Sequence, residues 1–80
     1  MLTSSQIRAA RALLRWSSGD LSLASKIGQG TIKRLELMEG VPTAQVRTLL
    51  ALKSALEEAG VEFVGSVDRD PGVVLKTSRD

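Results

Sequence analysis

Apolar residues in the first part of the chain recur every three or four positions, which predicts helices rather than strands. The first helix is expected over 4–15. Its inward stripe consists of Ile7, Ala10, Leu13 and Leu14. Thr3 and Gln6 have the spacing of a capping box, in which two residues exchange hydrogen bonds and start a helix. The local pattern therefore predicts both the start and the buried face of this helix.

Two shorter helices are predicted next, with a bend at about 26–28 between them. The second helix covers about 18–26 and begins after Ser17, which has the spacing of a capping box with Asp20. The third helix covers 29–37. Its inward residues are expected to be Ile32 and Leu35, with Leu37 or Met38 beyond them.

A longer fourth helix and a β-hairpin complete the predicted fold. The helix is expected over 43–59, entered through Pro42 and closed by Gly60. Its apolar stripe contains Val46, Leu49, Leu50, Leu52, Leu56 and Ala59. After Gly60 the period changes to alternation, so strands are expected at 61–64 and 73–76.

Asp70-Pro71-Gly72 stands between the two predicted strands and is expected to form their turn. Because a two-stranded hairpin is marginal alone, it is expected either to lie on the helical core through Phe63 or to pair with a second copy. The second arrangement is a homodimer. Its contacts would come from Val61, Phe63, Val73 and Leu75. The chain thus divides into a mainly α bundle at 1–60, a hairpin at 61–76 and a tail at 77–80.

Composition narrows the chemistry available to the chain. Its 80 residues make one small domain, and they include no cysteine, histidine or tyrosine. Disulfides and thiolate metal sites are therefore excluded, and the side chain most often used for proton transfer near neutral pH is missing. The acidic residues show no paired spacing or metal-ligand cluster, and no phosphate-binding loop is present. We therefore expect neither an enzyme nor a cofactor or metal site.

Hydropathy and the start of the chain bear on location. No apolar run approaches the roughly 18 residues that span a bilayer. The first residues also lack the basic start and the apolar run of a signal peptide. A cytoplasmic protein is expected.

Charge is unevenly distributed although the net charge is only +2. Residues 1–53 carry eight cations and three anions, a balance of +5, whereas residues 54–80 carry three cations and six anions, a balance of −3. The basic N-terminal part suits a polyanion. The alternative is that these charges are ordinary solvated side chains on helix faces. The row formed by Arg8, Arg11 and Arg15 is interpreted in this second way.

The outward face of the predicted helix 29–37 suits DNA. Its members are Gln29, Gly30, Lys33 and Arg34. No carboxylate precedes Glu36 on this face, and an amide with two cations can bond to base-pair edges and to phosphates. Gly30 offers no side chain for readout but allows close approach. Thr31 either contacts a phosphate or satisfies a backbone group.

The second and third helices resemble a known DNA-binding motif. The residues that carry the resemblance are Trp16-Ser17, Asp20-Leu21, Ile27 and Thr31-Ile32-Lys33-Arg34-Leu35-Glu36. They are similar to the Cro/repressor-type (xenobiotic response element family) helix-turn-helix of bacterial and phage transcription regulators. The opening LTSSQIRAARALLRWS resembles the first helix of the short single-domain bacterial members. The resemblance covers about residues 2–59 and implies a lambda-repressor-like bundle of four helices.

The resemblance also implies roles for individual residues. In this family the first residues of the third helix enter the major groove. Here those residues are Gln29, Gly30 and Thr31, followed one turn later by Lys33 and Arg34. The family grips the DNA backbone with the start of the second helix, which assigns a phosphate contact to Ser18. Arg47 lies near the start of the fourth helix. From that position it is either a further phosphate ligand or the partner of Glu36 or Glu39 in a surface ion pair.

The chain departs from the usual family pattern at three positions. It has Ser22 where alanine is common, Lys26 where the turn commonly has glycine, and Gly28 where a hydroxyl residue commonly caps the third helix. Lys26 is therefore expected to have a positive φ, at a cost on the order of 1 kcal/mol.

The function expected from these residues is sequence-specific binding of double-stranded DNA by a transcriptional regulator that reads the major groove with helix 29–37. A two-fold dimer would place two such helices about one DNA turn, ~34 Å, apart and would imply a palindromic operator. The alternative is a protein-interaction module, antitoxin-like or an adaptor. Such a module would bind a protein partner through Leu23, the fourth helix or the hairpin.

Overall fold

A computed structural model describes residues 2–66 and 69–76. Within these ranges the chain forms four α-helices followed by one antiparallel β-hairpin. The helices are α1 (Ser4–Leu14), α2 (Ser18–Ser25), α3 (Gln29–Glu36) and α4 (Val46–Glu58). The strands are β1 (Val61–Ser66) and β2 (Arg69–Leu75). The prediction of a mainly helical domain with a C-terminal hairpin is confirmed, and the expected tail at 77–80 lies outside the described residues.

Capping boxes start α1 and α2 as predicted. The Thr3 hydroxyl accepts from the Gln6 amide at 3.1 Å, and the Gln6 side chain accepts from the Thr3 amide at 2.9 Å. Ser17 and Asp20 exchange the same pair of bonds, at 3.0 and 2.9 Å. Each box satisfies amide groups that the first turn of a helix leaves without a partner. Four residues of local sequence therefore fix where each helix begins.

Both α1 and α2 end on a cationic residue in the left-handed conformation. Arg15 caps α1 with a φ of 59°, and Lys26 caps α2 with a φ of 65°. The amide of Lys26 donates to the carbonyl of Ser22 at 2.8 Å, which closes α2 and turns the chain toward α3. The prediction of a positive φ at Lys26 is confirmed.

Replacing Lys26 with glycine should stabilise the fold by about 1 kcal/mol, because glycine adopts a positive φ without the clash of a Cβ atom. In a domain of this size that gain corresponds to a rise in melting temperature of roughly 4–8 °C. Thermal unfolding followed by circular dichroism measures the change. Lys26→Ala is the matched control, since it removes the same charge and keeps the Cβ. An equal gain in both variants would assign the effect to charge rather than to the backbone.

The core is formed by one face of each helix, and the hairpin packs against α1 and α4. Its largest fully buried apolar side chains are Ile7, Leu21, Ile32, Leu35, Leu52 and Leu56. Trp16 and Ile27 pack against this cluster while remaining partly exposed. The single tryptophan therefore contributes to the core at the junction before α2.

The fourth helix begins later than the apolar pattern predicted. It starts at Val46 behind an N-cap at Gln45, and not at residue 43. Pro42 is buried in the connection that precedes it and does not enter the helix. At 13 residues α4 is the longest of the described helices. No helix in the described ranges is long and apolar enough to cross a bilayer.

The buried stripes of α1 and α4 are narrower than predicted. The apolar residues wrongly assigned to them are Leu13, 40% exposed, Val46, 65% exposed, and Leu50, 59% exposed. In both helices three residues at spacing i, i+3 and i+7 already occupy the side that faces the core. These are Ile7, Ala10 and Leu14 in α1, and Leu49, Leu52 and Leu56 in α4. Leu13, Val46 and Leu50 lie to the side of these buried stripes, where they are exposed.

The expected turn at 70–72 is wrong, because those residues belong to strand β2. Val64 pairs with Gly72, and pairing continues to Ser66 with Arg69 across a bulge between Val64 and Ser66. Gly65 has a φ of 73°, and a Cβ on it would lie 2.4 Å from the carbonyl oxygen of Asp70. A bulge is also where a strand tolerates proline, which has no amide to donate.

The hairpin packs on the helices of its own chain. Gln6 Nε2 donates to the main-chain oxygens of Gly72 at 2.9 Å and of Val64 at 3.3 Å. Val61 is 2% exposed, and the other inward residues of the hairpin pack against the core. Those residues are Phe63, Val73 and Leu75. Of the two arrangements considered for the hairpin, packing on its own core is the one observed, and homodimerisation stays a prediction.

Candidate nucleic-acid interface

Helix α3 separates buried from exposed residues largely as predicted. Ile32 and Leu35 are fully buried, and Thr31 is half-buried. The exposed residues are Gln29, Gly30, Lys33 and Arg34. Beyond the helix, Met38 packs on the core while Leu37 is 86% exposed, so Met38 is the inward residue of that pair.

The first turn of α3 lacks the side-chain cap found in α1 and α2. Its N-cap is Gly28, which has no side chain to accept a hydrogen bond. The first main-chain bond within the helix runs from the Ile32 amide to the Gly28 carbonyl at 3.1 Å. The amides of Gln29 and Gly30 therefore precede the helical ladder, at the positive end of the helix dipole.

One hydrogen bond joins the start of α2 to the start of α3. Gln29 Nε2 donates to Ser18 Oγ at 2.9 Å. Ser18 is 9% exposed, whereas Gln29 is exposed. The hydroxyl thus accepts one of the two amide hydrogens of Gln29 and retains its own proton to donate. The structure brings these two predicted site residues together, which the sequence did not indicate.

Glu36 is buried, which corrects its expected place on the outward face of α3 and its pairing with Arg47. It is 7% exposed and forms a bidentate ion pair with Arg11. Arg11 Nε donates to Glu36 Oε2 and Arg11 Nη2 donates to Glu36 Oε1, both at 2.7 Å. Arg11 Nη1 also donates to the Trp16 carbonyl at 2.9 Å, and Arg8 donates to the main-chain oxygen of Glu36.

The Arg11–Glu36 ion pair anchors the C-terminal end of α3 to α1. Hydrogen bonding to Glu36 raises the pKa of Arg11, and the charge of Glu36 acts in the same direction, while burial opposes both. Sequence spacing carried a signal for this pair. Glu36 follows Ile32 by four residues and Arg11 follows Ile7 by four, which places both on the border of a buried stripe. An arginine and a carboxylate on two such borders are candidates for a buried pair.

The two cations of α3 have no carboxylate partner among the residues that the structure describes. In residues 2–66 and 69–76 the ion pairs are Arg11–Glu36 and Lys53–Glu57. Lys33 and Arg34 are therefore exposed and unpaired within this part of the chain. Their charge is available to a ligand outside the fold.

Arg47 is exposed in the first turn of α4. Its Nε donates to Gln45 Oε1 at 3.2 Å. Of the two alternatives for Arg47, the ion pair with Glu36 or Glu39 is not observed among the described residues, because Glu36 is bound to Arg11 and the contact of Arg47 is with an amide. The contact leaves Arg47 as an exposed cation on a different helix from Lys33 and Arg34.

Comparison of the chain with protein-family models and with curated proteins gave no match. The interpretation of this surface therefore rests on its geometry. Within the described residues, no group of three histidine, cysteine, aspartate or glutamate residues is placed to hold a metal ion.

Proposed function

We propose that the protein binds double-stranded DNA in a sequence-specific way and regulates transcription. In this proposal the fold is lambda-repressor-like, α2 and α3 form its helix-turn-helix, and α3 enters the major groove. The observation that carries the proposal is the exposed face of α3, which combines an amide, a glycine and two cations that form no ion pair within residues 2–66 and 69–76. The opposite face of the same helix is fully buried through Ile32 and Leu35, so the exposed face is presented on a packed support.

The hydrogen bond from Gln29 to Ser18 supports a role for Gln29 in base recognition. Adenine presents an acceptor at N7 and a donor at its N6 amino group in the major groove. Gln29 has one Nε2 hydrogen bonded to Ser18 and keeps a second Nε2 hydrogen and its Oε1 oxygen. That remaining donor and acceptor match the adenine edge. Because Ser18 restricts the amide, less side-chain freedom is lost when Gln29 binds the base.

The packing of α3 supports the same role. A base reader must hold its side chains within a fraction of an ångström of the productive geometry. Ile32 and Leu35 anchor the middle of the helix in the core, and the ion pair of Glu36 with Arg11 anchors its end. The start of the helix is joined to α2 through Ser18. Helix α3 is therefore fixed at both ends.

Selection of bound sequences from a random pool of duplex DNA at near-physiological salt tests the proposal. We expect recovery of a motif that contains an adenine at a fixed position. A homodimer would recover two such half-sites related by a two-fold axis, about one helical turn apart. Recovery of no sequence above background would contradict the proposal.

Gln29→Ala should relax the preference at one base pair of the selected operator by about 1–3 kcal/mol. Ser18→Ala should act in the same direction with a smaller effect, because it frees the amide without removing it. Titration of each variant against the operator and against duplexes changed at that base pair measures the preference. Ser54→Ala, at an exposed position of α4, is the control. An equal loss on every sequence for Gln29→Ala would contradict its role as a reader.

A second candidate function is a protein-interaction module, antitoxin-like or an adaptor. The observation that favours it is the exposure of apolar residues on α2 and α4. These are Leu23, 82% exposed, together with Val46 and Leu50. Purification of the protein in a stoichiometric complex with a second protein, combined with no affinity for DNA, would favour this function over the first.

A further inference from the structure

Gly30 is a helical glycine that the fold does not require. It is the second residue of α3, it is exposed, and it is not among the residues with a positive φ. A Cβ built on it meets no atom of the described residues within 4 Å. The folded chain therefore has room for a side chain at this position and no backbone conformation that excludes one.

Other glycines of the chain have structural reasons that Gly30 lacks. Gly65 has a positive φ, and a Cβ on it would clash with the Asp70 carbonyl oxygen, while Gly60 has a φ of 112° where the chain leaves α4. Glycine inside a helix loses more conformational entropy on folding than alanine does. At Gly30 the fold would thus be more stable with alanine, and the reason for glycine must be sought outside the fold.

The position of Gly30 indicates what that reason is. It follows Gln29 directly and precedes Lys33 and Arg34 by about one turn, on the same exposed face. Gly19, the second residue of α2, stands close to the same amide, since a Cβ on it would lie 3.7 and 3.8 Å from the Oε1 and Nε2 atoms of Gln29. Glycines of both helices therefore lie beside the Gln29 amide, and neither adds a side chain there.

We propose that Gly30 is a specificity-determining position at which the main chain of α3 meets the edge of a base pair directly. This inference rests on the proposed function. A missing side chain brings the helix axis closer to the floor of the major groove and leaves room for a group that projects from it, the 5-methyl group of thymine. Any side chain at position 30 would occupy that space. The protein would then prefer a different base pair beside the one that Gln29 reads.

The test compares the full chain with Gly30→Ala in two measurements. We expect Gly30→Ala to melt at a higher temperature than the wild type and to bind the selected operator about tenfold more weakly. Ser54→Ala, at an exposed position of α4, is the control and should leave DNA affinity unchanged. A lower melting temperature for Gly30→Ala would overturn the claim that the fold does not require glycine. Unchanged or tighter binding of the operator would overturn the claim that DNA binding requires glycine at position 30.

A third measurement examines specificity. Each thymine of the operator is replaced in turn by deoxyuridine, which lacks the 5-methyl group. Restored binding of Gly30→Ala by one such replacement supports the contact, whereas equal loss on every duplex would overturn the specificity role. If the wild type selects an operator and Gly30→Ala binds it with the same affinity and specificity, this inference fails while the proposed function stands. A wild-type protein that selects no sequence overturns the proposed function and this inference together.

Discussion

Replacing both Lys33 and Arg34 with alanine should weaken binding to the selected operator by about 30-fold or more at near-physiological salt, if each side chain contributes about 1–3 kcal/mol. Both cations are exposed on α3 and unpaired within the described ranges, so no internal ion pair is broken when they are removed. The stability of the fold should change little. Fluorescence anisotropy with labelled operator measures the affinity, and urea unfolding checks the fold.

The dependence of affinity on salt separates the two kinds of interaction that Lys33 and Arg34 can make with DNA. If a cation binds a phosphate, its removal should reduce the slope of log affinity against log salt by about one. If it binds guanine instead, its removal should weaken binding only to duplexes that carry that base. The matched control is Arg69→Ala/Lys76→Ala, which removes one exposed arginine and one exposed lysine outside α3. An equal loss of affinity in the control would show that the protein binds DNA through net charge rather than through α3.

Glu36→Ala should destabilise the fold by about 3 kcal/mol or more, because it leaves the partly buried guanidinium of Arg11 without its ionic partner. The substitution removes two charge-assisted hydrogen bonds of 2.7 Å. A domain of this length buries only about 60% of its unfolded surface, so such a loss takes a large share of its stability. Urea unfolding measures it. Glu39→Ala removes an exposed carboxylate three residues away and should change stability by about 0.5 kcal/mol or less.

A double replacement distinguishes the ion pair from the volume it fills. Arg11→Met combined with Glu36→Leu removes both charges and keeps apolar bulk, so we expect it to recover much of the stability lost in Glu36→Ala. If Glu36→Ala and the double variant were equally unstable, the loss would come from packing rather than from an unpaired charge.

The raised pKa of Arg11 means that its stabilisation is present below the ordinary arginine pKa and is lost only as pH rises through the raised value. Arg11 therefore adds no pH dependence near neutrality.

The features that the sequence predicted correctly depend on residues close together in the chain. The capping boxes at Thr3 and Ser17 each need one partner three residues on. The positive φ at Lys26, in contrast, is what the resemblance implies, since glycine is common at that turn. The two faces of α3 follow from helical periodicity alone. Such signals are local, so no knowledge of the tertiary fold is needed to interpret them.

The features that the sequence did not predict depend on distant partners. The ion pair of Arg11 and Glu36 joins residues 25 positions apart, and the bond between Ser18 and Gln29 joins residues 11 positions apart. At Asp70-Pro71-Gly72 a strong local turn signal is overridden by pairing with β1, which the bulge at Gly65 makes possible. Periodicity also gives the direction of a buried stripe but not its width, which is set by what packs against the helix.

Helix α1 is the common support of two surfaces that lie far apart in the chain. Gln6 in its first turn bonds to Gly72 of the hairpin, 66 residues away, while Arg11 in its last turn holds α3. Because the Gln6 amide group both completes a capping box and binds the hairpin, release of the hairpin also loosens the first turn of α1. The hairpin and the candidate reading helix therefore share one cooperative folding unit. If α3 binds DNA as proposed, a partner that binds the hairpin would be thermodynamically linked to that binding through α1, without contact with α3.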